Sequence, residues 1–482
     1  MKTLYRKKAI ALYETRLRVG FVVTTLVLYL VASVLWFLLA VILPYADTVT
    51  VSERDNVIIT RAALSATAEQ QAADERDKER ALLLPSSASS FARRLRLIED
   101  AKKSVDFMVY DVRKQDYAFY FFTALVRAAD RGVKVRIVLD GKFGRLNGKL
   151  SALGKIVSSH DNIELYYFNE ANILDPGGLM TLMHDKVTIV DGETVIVGGV
   201  NMGSSWYLDN FDMEVMITNS GEFGASGQAT RYFEHVITDN LSRRIKSKKF
   251  AENKKAEYEK QFKEFYAKSE FANAEVDYSK QGTAVDRVTF VSNKISDKKK
   301  SPIVWQAVCN LMRNAETSTI VTPYALLQND KKQEIREIAQ TNKSFKIITN
   351  SLYNTRNVAY ADYYYSRADY INNSITLLEY MTDDQTHAKL FSVDNRYSVI
   401  GSFNLDERSA HIDTESVVVI DGEAFNGVLN DYIETQFVSN SVEVGADNEY
   451  IPSDTVTARY ADGFKKFKYA FLSALGLIRC LI

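Results

Sequence analysis

Two segments of the chain carry the same chemically active side chains at the same spacing. Each segment reads H-x-K-x4-D and is followed, six residues later, by a Gly-(Gly/Ser)-x-Asn tetrapeptide. The shared positions are His184, Lys186, Asp191 and Asn201 in the first copy, and His387, Lys389, Asp394 and Asn404 in the second. A lone H-x-K is a weak pattern, whereas two copies with identical offsets predict one site built from both.

The residues around these positions indicate how the side chains are presented. Both motifs lie in apolar, β-branched runs, and residues two apart on a strand share a face, so each histidine projects together with its lysine. An imidazole can attack phosphorus or donate a proton, a lysine can hold a negative oxygen, and an asparagine amide can donate to a phosphoryl oxygen. Asp191-Gly192 and Asp394-Asn395 are hairpin signatures. The motif aspartates therefore suit a turn at least as well as proton transfer, and both stay among the catalytic candidates.

A D-x-E pattern follows each motif and predicts how the imidazoles are oriented. The two copies are Asp212-Met213-Glu214 and Asp413-Thr414-Glu415. A histidine nucleophile needs one ring nitrogen free and the other held by an acceptor. We expect Glu214 and Glu415 to be these acceptors; the alternative is that they are exposed strand carboxylates.

Two histidines, two lysines and two asparagines around one phosphorus predict phosphodiester chemistry. One imidazole attacks, the other protonates the leaving oxygen, and the phosphoryl group is carried covalently before it passes to a second acceptor. Lysines and asparagines supply the charge stabilisation that a metal ion gives elsewhere. The sequence has no compact His/Asp/Glu cluster, so no metal and no cofactor are expected. The remaining histidines are assigned structural roles: His160, His235 and His411.

Secondary-structure patterns repeat around the two motifs and predict a duplicated α/β fold. In each half a helix, a strand, a second helix and further strands precede the H-x-K segment. The predicted elements are helix 91–103, strand 104–110, helix 117–131, strands 133–139 and 163–168, then helix 303–314, strand 318–323, helix 331–341, strands 345–349 and 375–380. Alternating strands and helices predict βαβ units with mixed, largely parallel sheets. Two halves on one plan predict an intramolecular pseudo-dimer.

Both motif copies resemble the signature of the phospholipase D superfamily, H-x-K-x4-D-x6-G-[GS]-x-N. Within it, the chain is most similar to the bacterial cardiolipin synthase and phosphatidyltransferase branch. Residues 401–410 (GSFNLDERSA) with 413–415 resemble the G-S-F-N-L-D-x-R-S…N-T-E pattern of that branch, and residues 198–201 with 212–214 resemble its G-G-R-N…D-x-D pattern. The likeness runs from about residue 80 to the end. It implies that His184 is the nucleophile and that His387 acts as general acid and then as base.

The amino-terminal segment predicts a membrane anchor. Residues 19–43 contain no charge, and as a helix they are long enough to cross a hydrocarbon core of about 30 Å. The alternative is a cleaved signal peptide, whose apolar region is shorter. Six basic residues precede the run and acids follow it. The positive-inside rule then predicts a single-pass protein with residues 1–18 in the cytoplasm and the catalytic domain outside it.

The rest of the chain divides by composition. Residues 61–83 are predicted to be a helical stalk, which ends at Pro85, and Ser90 is the predicted cap of the next helix. The predicted segments are a stalk and linker at 44–90, a first repeat at 91–244, a charged helical connector at 245–286, a second repeat at 287–445 and a carboxyl-terminal tail at 446–482.

Two stretches outside the repeats have alternative interpretations. The Lys/Glu-rich stretch 245–268 is predicted to be a solvated connecting helix, the alternative being a basic patch facing lipid head groups. In the tail, six apolar residues share one helical face and three lysines lie near its start, which suits either an interfacial membrane helix or a helix docked on the domain. These residues are Phe464, Phe467, Phe471, Leu475, Ile478 and Ile482, with Lys465, Lys466 and Lys468.

Charge and motif completeness rank the function classes. Lys and Arg number 60 against 61 acids, whereas a protein that binds long polyanions by bulk charge is usually more basic. The two cysteines, Cys309 and Cys480, predict no disulfide framework. The leading hypothesis is a phosphatidyltransferase that makes cardiolipin-like lipids from phosphatidylglycerol or a similar phospholipid. Alternatives are a hydrolase, a membrane-anchored nuclease and a non-catalytic scaffold, the last disfavoured by complete motifs in both halves. The expected partners are phospholipid and membrane, with no nucleic acid.

Overall fold

The computed structural model describes most of the chain, in ranges separated by short gaps. The described residues are 2–37, 49–113, 116–172, 175, 177–203, 210–247, 252–268, 281–295, 298–356, 360–371 and 374–474. Contacts divide the chain into two compact units, Met1–Thr48 with Asn172–Met180, and Val49–Ala171 with Thr181–Ile482. The second unit carries both motifs.

The first unit consists chiefly of one long helix, α1 (Lys2–Phe37). From Arg18 to Phe37 this helix is apolar, is not buried, and is long enough to cross a membrane. A signal sequence near an amino terminus has the same properties. The predicted span is helical as far as Phe37, and its residues 38–43 lie outside the described part of the chain.

The second unit is built on two large sheets. Its strands are β1 (Arg80–Leu84), β2 (Ser104–Val109), β3 (Lys134–Asp140), β4 (Ile163–Phe168), β5 (Lys186–Val190), β6 (Thr194–Gly198), β7 (Asn210–Phe211), β8 (Glu214–Thr218), β9 (Ser242–Ile245), β10 (Thr283–Ala284), β11 (Arg287–Ser292), β12 (Thr317–Val321), β13 (Ala325–Leu326), β14 (Ser344–Asn350), β15 (Ile375–Tyr380), β16 (Gln385–Thr386), β17 (Leu390–Val393), β18 (Tyr397–Gly401), β19 (Leu405–Asp406), β20 (Ser416–Asp421) and β21 (Ser441–Glu443). The strands that follow the two histidines, β5 and β17, occupy equivalent places in the two sheets.

The two sheets have the same strand order, except that the first has an additional edge strand, β10. The first runs β10-β1-β8-β6-β5-β2-β3-β4-β9, and the second runs β11-β20-β18-β17-β12-β14-β15-β21. In each, three neighbouring strands are parallel, β2-β3-β4 and β12-β14-β15, and the flanking ladders are antiparallel. The predicted duplication and the mixed α/β class are confirmed at the level of strand order.

Helices connect and cover the strands of this unit. They are α2 (Glu53–Ile58), α3 (Arg61–Leu64), α4 (Ala68–Ala72), α5 (Ser87–Asp100), α6 (Asp116–Asp130), α7 (Ser151–Ser159), α8 (Ala225–Thr238), α9 (Glu252–Ala267), α10 (Ile303–Met312), α11 (Asn329–Thr341), α12 (Tyr360–Ser366), α13 (Ala368–Ile371), α14 (Glu407–His411), α15 (Glu423–Tyr432) and α16 (Gly463–Ala474). Each sheet has its own helix-covered core, and a third core lies where the sheets meet.

The sheets pack against each other through the strands nearest the motifs. β6 contacts β18 and β20, and apolar side chains of both sheets share one core there. Every residue of β5, β6 and β8 is buried. This explains the continuous apolar, β-branched sequence of these strands, because a strand covered on both faces has no solvent side for alternating polar residues.

The hairpin that follows each histidine has the predicted turn. Asp191 and Gly192 have φ values of 55° and 71°, and Asp394 and Asn395 have values of 56° and 52°. Two consecutive left-handed residues match the twist of the antiparallel pairs β5–β6 and β17–β18. The turns therefore return each chain to the sheet and deliver the Gly-(Gly/Ser)-x-Asn segment beside its histidine.

The predicted helical stalk at 61–83 was wrong. This stretch contains the short helices α3 and α4 and ends in β1, which joins the first sheet beside β8. It packs on the second half, where Arg61 Nη1 donates to Leu311 O at 2.8 Å. Composition favoured a helix, but the antiparallel ladder along β8 decided the conformation of residues 80–84. The cap was also misplaced: Ser86 caps α5 by accepting from Ser89 N at 3.1 Å.

The Lys/Glu-rich stretch is not a fully solvated connector. It forms α9, whose Phe262 is buried, and Phe265 stacks on Tyr120 of α6 with ring centroids 4.0 Å apart. Tyr258 contacts Phe119 with the rings tilted and their centroids 5.3 Å apart. Aromatic residues at helical spacing thus bind α9 to the first half, together with an ion pair between Lys255 Nζ and Asp130 of α6 at 2.6 Å.

A buried ion pair ties the segment after β14 to the second sheet. Arg367 Nη1 donates to Glu379 Oε1 at 2.9 Å, and both side chains are almost fully buried. The hydroxyls of Tyr363 and Tyr450 donate to the same carboxylate at 3.0 Å and 2.6 Å. Removing one partner of such a pair leaves an uncompensated charge in the interior.

We expect Arg367→Ala to lower the free energy of unfolding by about 3–5 kcal/mol, because Glu379 then stays buried without its cation. Arg459→Ala is the matched control, since its pair with Asp383 is exposed, and its effect on the free energy of unfolding should be much smaller. Urea unfolding of the detergent-solubilised protein measures both. A cost for Arg367→Ala as small as that of Arg459→Ala would contradict the stabilising role of the pair.

Candidate active site

Short backbone segments of the two halves pair with each other beside the histidines. β16, immediately before His387, pairs in parallel with β7 of the first half, and His387 N donates to Phe211 O at 2.7 Å. Met183 and Thr414 form a second parallel bridge, shifted by two residues along the D-x-E segment, and His184 N donates to Thr414 O at 3.2 Å. The opposite half therefore fixes each histidine backbone, at the residue before the D-x-E pattern for His387 and inside the pattern for His184.

The same pairing places a carboxylate of one half at the imidazole of the other half. His184 Nδ1 lies 2.9 Å from Glu415 Oε1, and His387 Nδ1 lies 2.6 Å from Asp212 Oδ2. An Nδ1–H that donates to a carboxylate leaves Nε2 with its lone pair. Both rings are therefore held in the form that can attack an electrophile or accept a proton.

One of the two predicted orienting residues does not contact a histidine. Glu214 accepts from Arg94 Nη2 at 2.7 Å and from the Ser90 hydroxyl, and Arg94 and Glu214 are both fully buried. Asp212, two residues earlier on the same segment, is the carboxylate at His387. Glu415 occupies its predicted place, and it reaches the histidine of the other half.

Burial favours the neutral form of both imidazoles. It holds the pKa of His184 well below its ordinary value, and the positive charges of Lys186 and Lys389 lower this pKa further. Burial and Lys389 lower the pKa of His387 to about 4, although Asp212 opposes the change. Neutral rings near neutral pH are what a nucleophile and a proton acceptor require.

The motif lysines lie beside the histidines as the strand period predicts. Lys186 Nζ donates to His184 O and lies 5.2 Å from the centre of the Tyr110 ring. Lys389 Nζ lies 3.0 Å from His387 Nδ1. Burial lowers the pKa of Lys186 to about 8 and that of Lys389 to about 7, with Lys186 adding to the shift at Lys389.

A cavity of about 320 Å³ opens onto both histidines and both motif asparagines. Asp111 N donates to Asn201 Oδ1 at 3.2 Å, which fixes that amide with its NH2 group as the remaining donor. The cavity is also lined by Tyr110, Asp111, Arg113, Phe143, Leu182, Tyr324, Leu326, Asp406, Arg408, Ser409 and Asp413. His184, His387, Asn201 and Asn404 thus meet in one site, as the sequence predicts.

The motif aspartates do not line this cavity. Asp191 and Asp394 lie at the hairpin turns and hold the start of the neighbouring strand. Asp191 accepts from the backbone N–H groups of Lys102, Lys103 and Ser104, and Asp394 accepts from those of Glu316 and Thr317 and from Arg61. The structure gives both aspartates a positioning role in the turn, and not proton transfer.

The site contains residues that the sequence analysis did not select. Asp212 and Asp413 belong to the D-x-E patterns, so the repeat itself could have identified them. Arg408 Nη2 donates to Asp413 Oδ1 at 3.0 Å on the cavity wall. The carboxylate of Asp140 accepts from Met183 N at 3.0 Å and so holds the residue before His184, and burial raises its pKa to about 6.

The other three histidines, which are predicted to have structural roles, do not line the cavity. His160 Nε2 lies 3.1 Å from Asp130, and His411 Nδ1 lies 3.0 Å from Lys300 O. His235 is exposed near the end of α8. Among the described residues, no group of three His, Cys, Asp or Glu side chains has the geometry of a metal site.

The lysine pKa values predict how activity depends on pH. The two ammonium groups lose their protons as pH rises through about 7 to 8, and with them the charge that holds phosphoryl oxygens. We therefore expect kcat/KM to fall over this range. Lys389→Arg should move this alkaline limb to higher pH because arginine stays charged, even if kcat is lower. Lys389→Met should lose on the order of 100-fold at pH 7. An unchanged limb in Lys389→Arg would remove Lys389 from this role.

Comparison with known proteins identifies the family of this chain. The family model described as "Cardiolipin synthase, PLD-like domain" matches residues 95–237 and 308–437. Cardiolipin synthase C of Escherichia coli is 26% identical over 407 residues, which cover 73% of this chain and 84% of that protein. An uncharacterized protein of Helicobacter pylori is 27% identical over 396 residues, covering 72% of this chain and 76% of that protein.

A solved structure shares the fold. Phosphatidylserine synthase of Haemophilus influenzae superposes with a TM-score of 0.58 at 14% identity, covering 84% of this chain and 95% of that one. The family model matches more than half of the chain, in two copies that coincide with the two halves of the fold. The chain therefore belongs to the cardiolipin synthase family with phospholipase D-like domains.

Proposed function

We propose that this protein is a phosphatidyltransferase, similar to a cardiolipin synthase, that acts through a phosphohistidine intermediate. The observation that carries the proposal is the pair of buried histidines in one cavity, each held at Nδ1 by a carboxylate of the opposite half. Family membership supports action on a phosphodiester, and the names of the related cardiolipin synthases support a phospholipid substrate.

The residues in the cavity supply each step of such a reaction. His184 Nε2 attacks the phosphorus, a P–N bond forms, and the P–O bond to the leaving alcohol breaks as the protonated ring of His387, whose charge Asp212 stabilises, gives that oxygen its Nε2 proton. A second alcohol then gives its proton to His387 and attacks phosphorus, which breaks the P–N bond and regenerates neutral His184. Lys186, Lys389 and the amide of Asn201 stabilise the negative oxygens throughout.

The acceptor alcohol distinguishes the transferase from its alternatives. A lipid hydroxyl gives a product with two phosphatidyl groups, whereas water gives phosphatidic acid. Balanced charge disfavours a nuclease, because 60 basic residues against 61 acids leave no excess to hold a polyanion. A site close to a bilayer would meet lipid hydroxyls at high local concentration.

Helix α16 offers a surface for that bilayer. Tyr469 is buried against the domain, and Ser473 donates to Asp362 at 2.9 Å. On the opposite side Phe464, Phe467 and Phe471 are 78%, 69% and 57% exposed. The helix is thus docked on the domain and still presents an aromatic face, flanked by lysines, that suits anionic lipid head groups. The remaining residues predicted for this apolar face, Leu475, Ile478 and Ile482, lie outside the described part of the chain.

This helix is linked to the active site by direct packing. α16 contacts α12, α12 contacts β13, and Leu326 of β13 lines the cavity. Insertion of α16 into a head-group layer would therefore hold the cavity close to lipid. We propose in addition that α1 anchors the protein, with its basic amino terminus in the cytoplasm and the catalytic domain outside.

The purified protein in liposomes should convert phosphatidylglycerol into a product with two phosphatidyl groups, with some phosphatidic acid from water. His184→Ala and His387→Ala should each lower turnover by at least about 1,000-fold, because each removes one of two indispensable roles. Chelators should have no effect. Thin-layer chromatography of labelled lipid measures the products. Phosphatidic acid alone would favour the hydrolase, and degradation of single-stranded DNA or RNA without lipid turnover would favour the nuclease.

Replacement of the aromatic face by Phe464→Ser, Phe467→Ser and Phe471→Ser together should lower turnover on anionic liposomes by at least about 10-fold, because apolar area is lost from the lipid contact. Turnover of a soluble nitrophenyl phosphodiester should stay within about twofold. Phe223→Ser is the matched control, since Phe223 is 86% exposed but lies outside α16. Equal losses on the two substrates would argue that α16 acts on stability and not on membrane contact.

A further inference from the structure

The two histidines have different carboxylate partners although the two halves follow one plan. In the repeat, Asp212 corresponds to Asp413 and Glu214 corresponds to Glu415. His184 nevertheless takes the glutamate of the opposite pattern at 2.9 Å, and His387 takes the aspartate at 2.6 Å. The duplicated site is therefore not symmetric at the groups that orient its catalytic rings.

An arginine holds the other carboxylate of each pattern. Arg94 of α5 binds Glu214 in the interior, with Arg94 Nη2 donating to Glu214 Oε1 at 2.7 Å. Arg94 Nε also donates to the hydroxyl of Thr188 at 2.9 Å, so the guanidinium is fixed on two sides. In the second half, Arg408 donates to Asp413 at 3.0 Å. In the first half the arginine thus binds the glutamate of the D-x-E pattern, and in the second half the arginine binds the aspartate.

The difference between Gly199 and Ser402 matches this choice. These residues occupy the same place in the two Gly-(Gly/Ser)-x-Asn segments. A Cβ at Gly199 would lie 2.4 Å from Asp212 Oδ1 and 3.0 Å from Oδ2, so the carboxylate occupies space that a side chain would need. The Ser402 hydroxyl donates to Glu415, as does that of Ser409 at 2.6 Å.

The two carboxylates that contact the histidines accept different numbers of other hydrogen bonds. Glu415 accepts from two hydroxyl groups besides His184, and that of Ser409 shares Oε1 with the ring. Asp212 accepts from Met213 N at 2.9 Å through Oδ1 and contacts His387 through Oδ2. A protonated ring at His387 thus faces a carboxylate that is less shared.

We propose that Gly199 is a positioning residue that, with Arg94 holding Glu214 away, admits Asp212 to His387 and so makes His387 the proton carrier of the pair. The proposal rests on the proposed function, in which His184 attacks and His387 transfers protons. Gly199 touches neither substrate nor ring, and it acts through Asp212.

The test uses phosphatidyl-p-nitrophenol in detergent micelles with the full chain. Attack by His184 forms the P–N bond and expels nitrophenolate, a leaving group that needs no proton from His387. Water then breaks the P–N bond, giving its proton to His387. The burst of about one nitrophenolate per site in the first turnover therefore measures attack by His184. The rate of the later steady state measures proton transfer to His387.

We expect Asp212→Asn and Gly199→Ala to keep the burst and to lose steady-state turnover by about 100-fold and at least about 10-fold, respectively. The double variant should match Asp212→Asn within about twofold, because Gly199 acts through the same carboxylate. Gly427→Ala is the matched control: its added Cβ meets nothing within 4 Å, and it should behave as the wild type. The burst amplitude counts the folded, competent sites in every preparation.

Three results would overturn the proposal. If Gly199→Ala kept wild-type steady-state turnover, Asp212 would not depend on the space that the absent side chain leaves at Gly199. A double variant with additive losses would show that Gly199 acts independently of Asp212. Loss of the burst together with the steady state would place the effect on His184 or on folding. A burst from His184→Ala would instead refute the proposed covalent mechanism, so the two failures are distinguishable.

Discussion

The pairing of each buried imidazole with a carboxylate of the opposite half is the interaction on which the rest of the site depends. Both rings lie in the interior, where charge is costly, so a nearby carboxylate decides which nitrogen carries the proton. Since neither half supplies its own partner, the site exists only when both halves are folded against each other. The paired backbone segments and the core that the two sheets share hold the halves together.

The fold accounts for how closely the catalytic groups are placed. Strands β5 and β17 are buried on both faces and are fixed by ladders on each side, so the side chains at their beginnings have little freedom. The motif aspartates stabilise the turns at the far ends of these strands. A rigid scaffold of this kind holds two lysines in the interior beside the histidines, where burial lowers their pKa values to about 8 and about 7.

Duplication gives the two halves similar parts, and small differences between them allow unlike roles. Arg94 has no counterpart in the second half, where Ala307 takes the equivalent place at the same distance before the following strand. Gly199 and Ser402 differ by one hydroxymethyl group. Changes of this size suffice because the carboxylates compete for a few buried donors, and a buried charge binds whichever donor is within reach.

The sequence by itself determined the duplication, the paired motifs, the hairpin turns after each motif and the apolar helix at the amino terminus, because each depends on local spacing or composition. It misassigned residues 80–84, the exposed character of α9 and the cap of α5, since the contacts that decide these features come from distant segments. It placed Glu214 at a histidine, where the folded protein places Asp212. Spacing along a strand tells which side chains share a face, whereas only the tertiary structure decides which of them receives an arginine and which receives an imidazole.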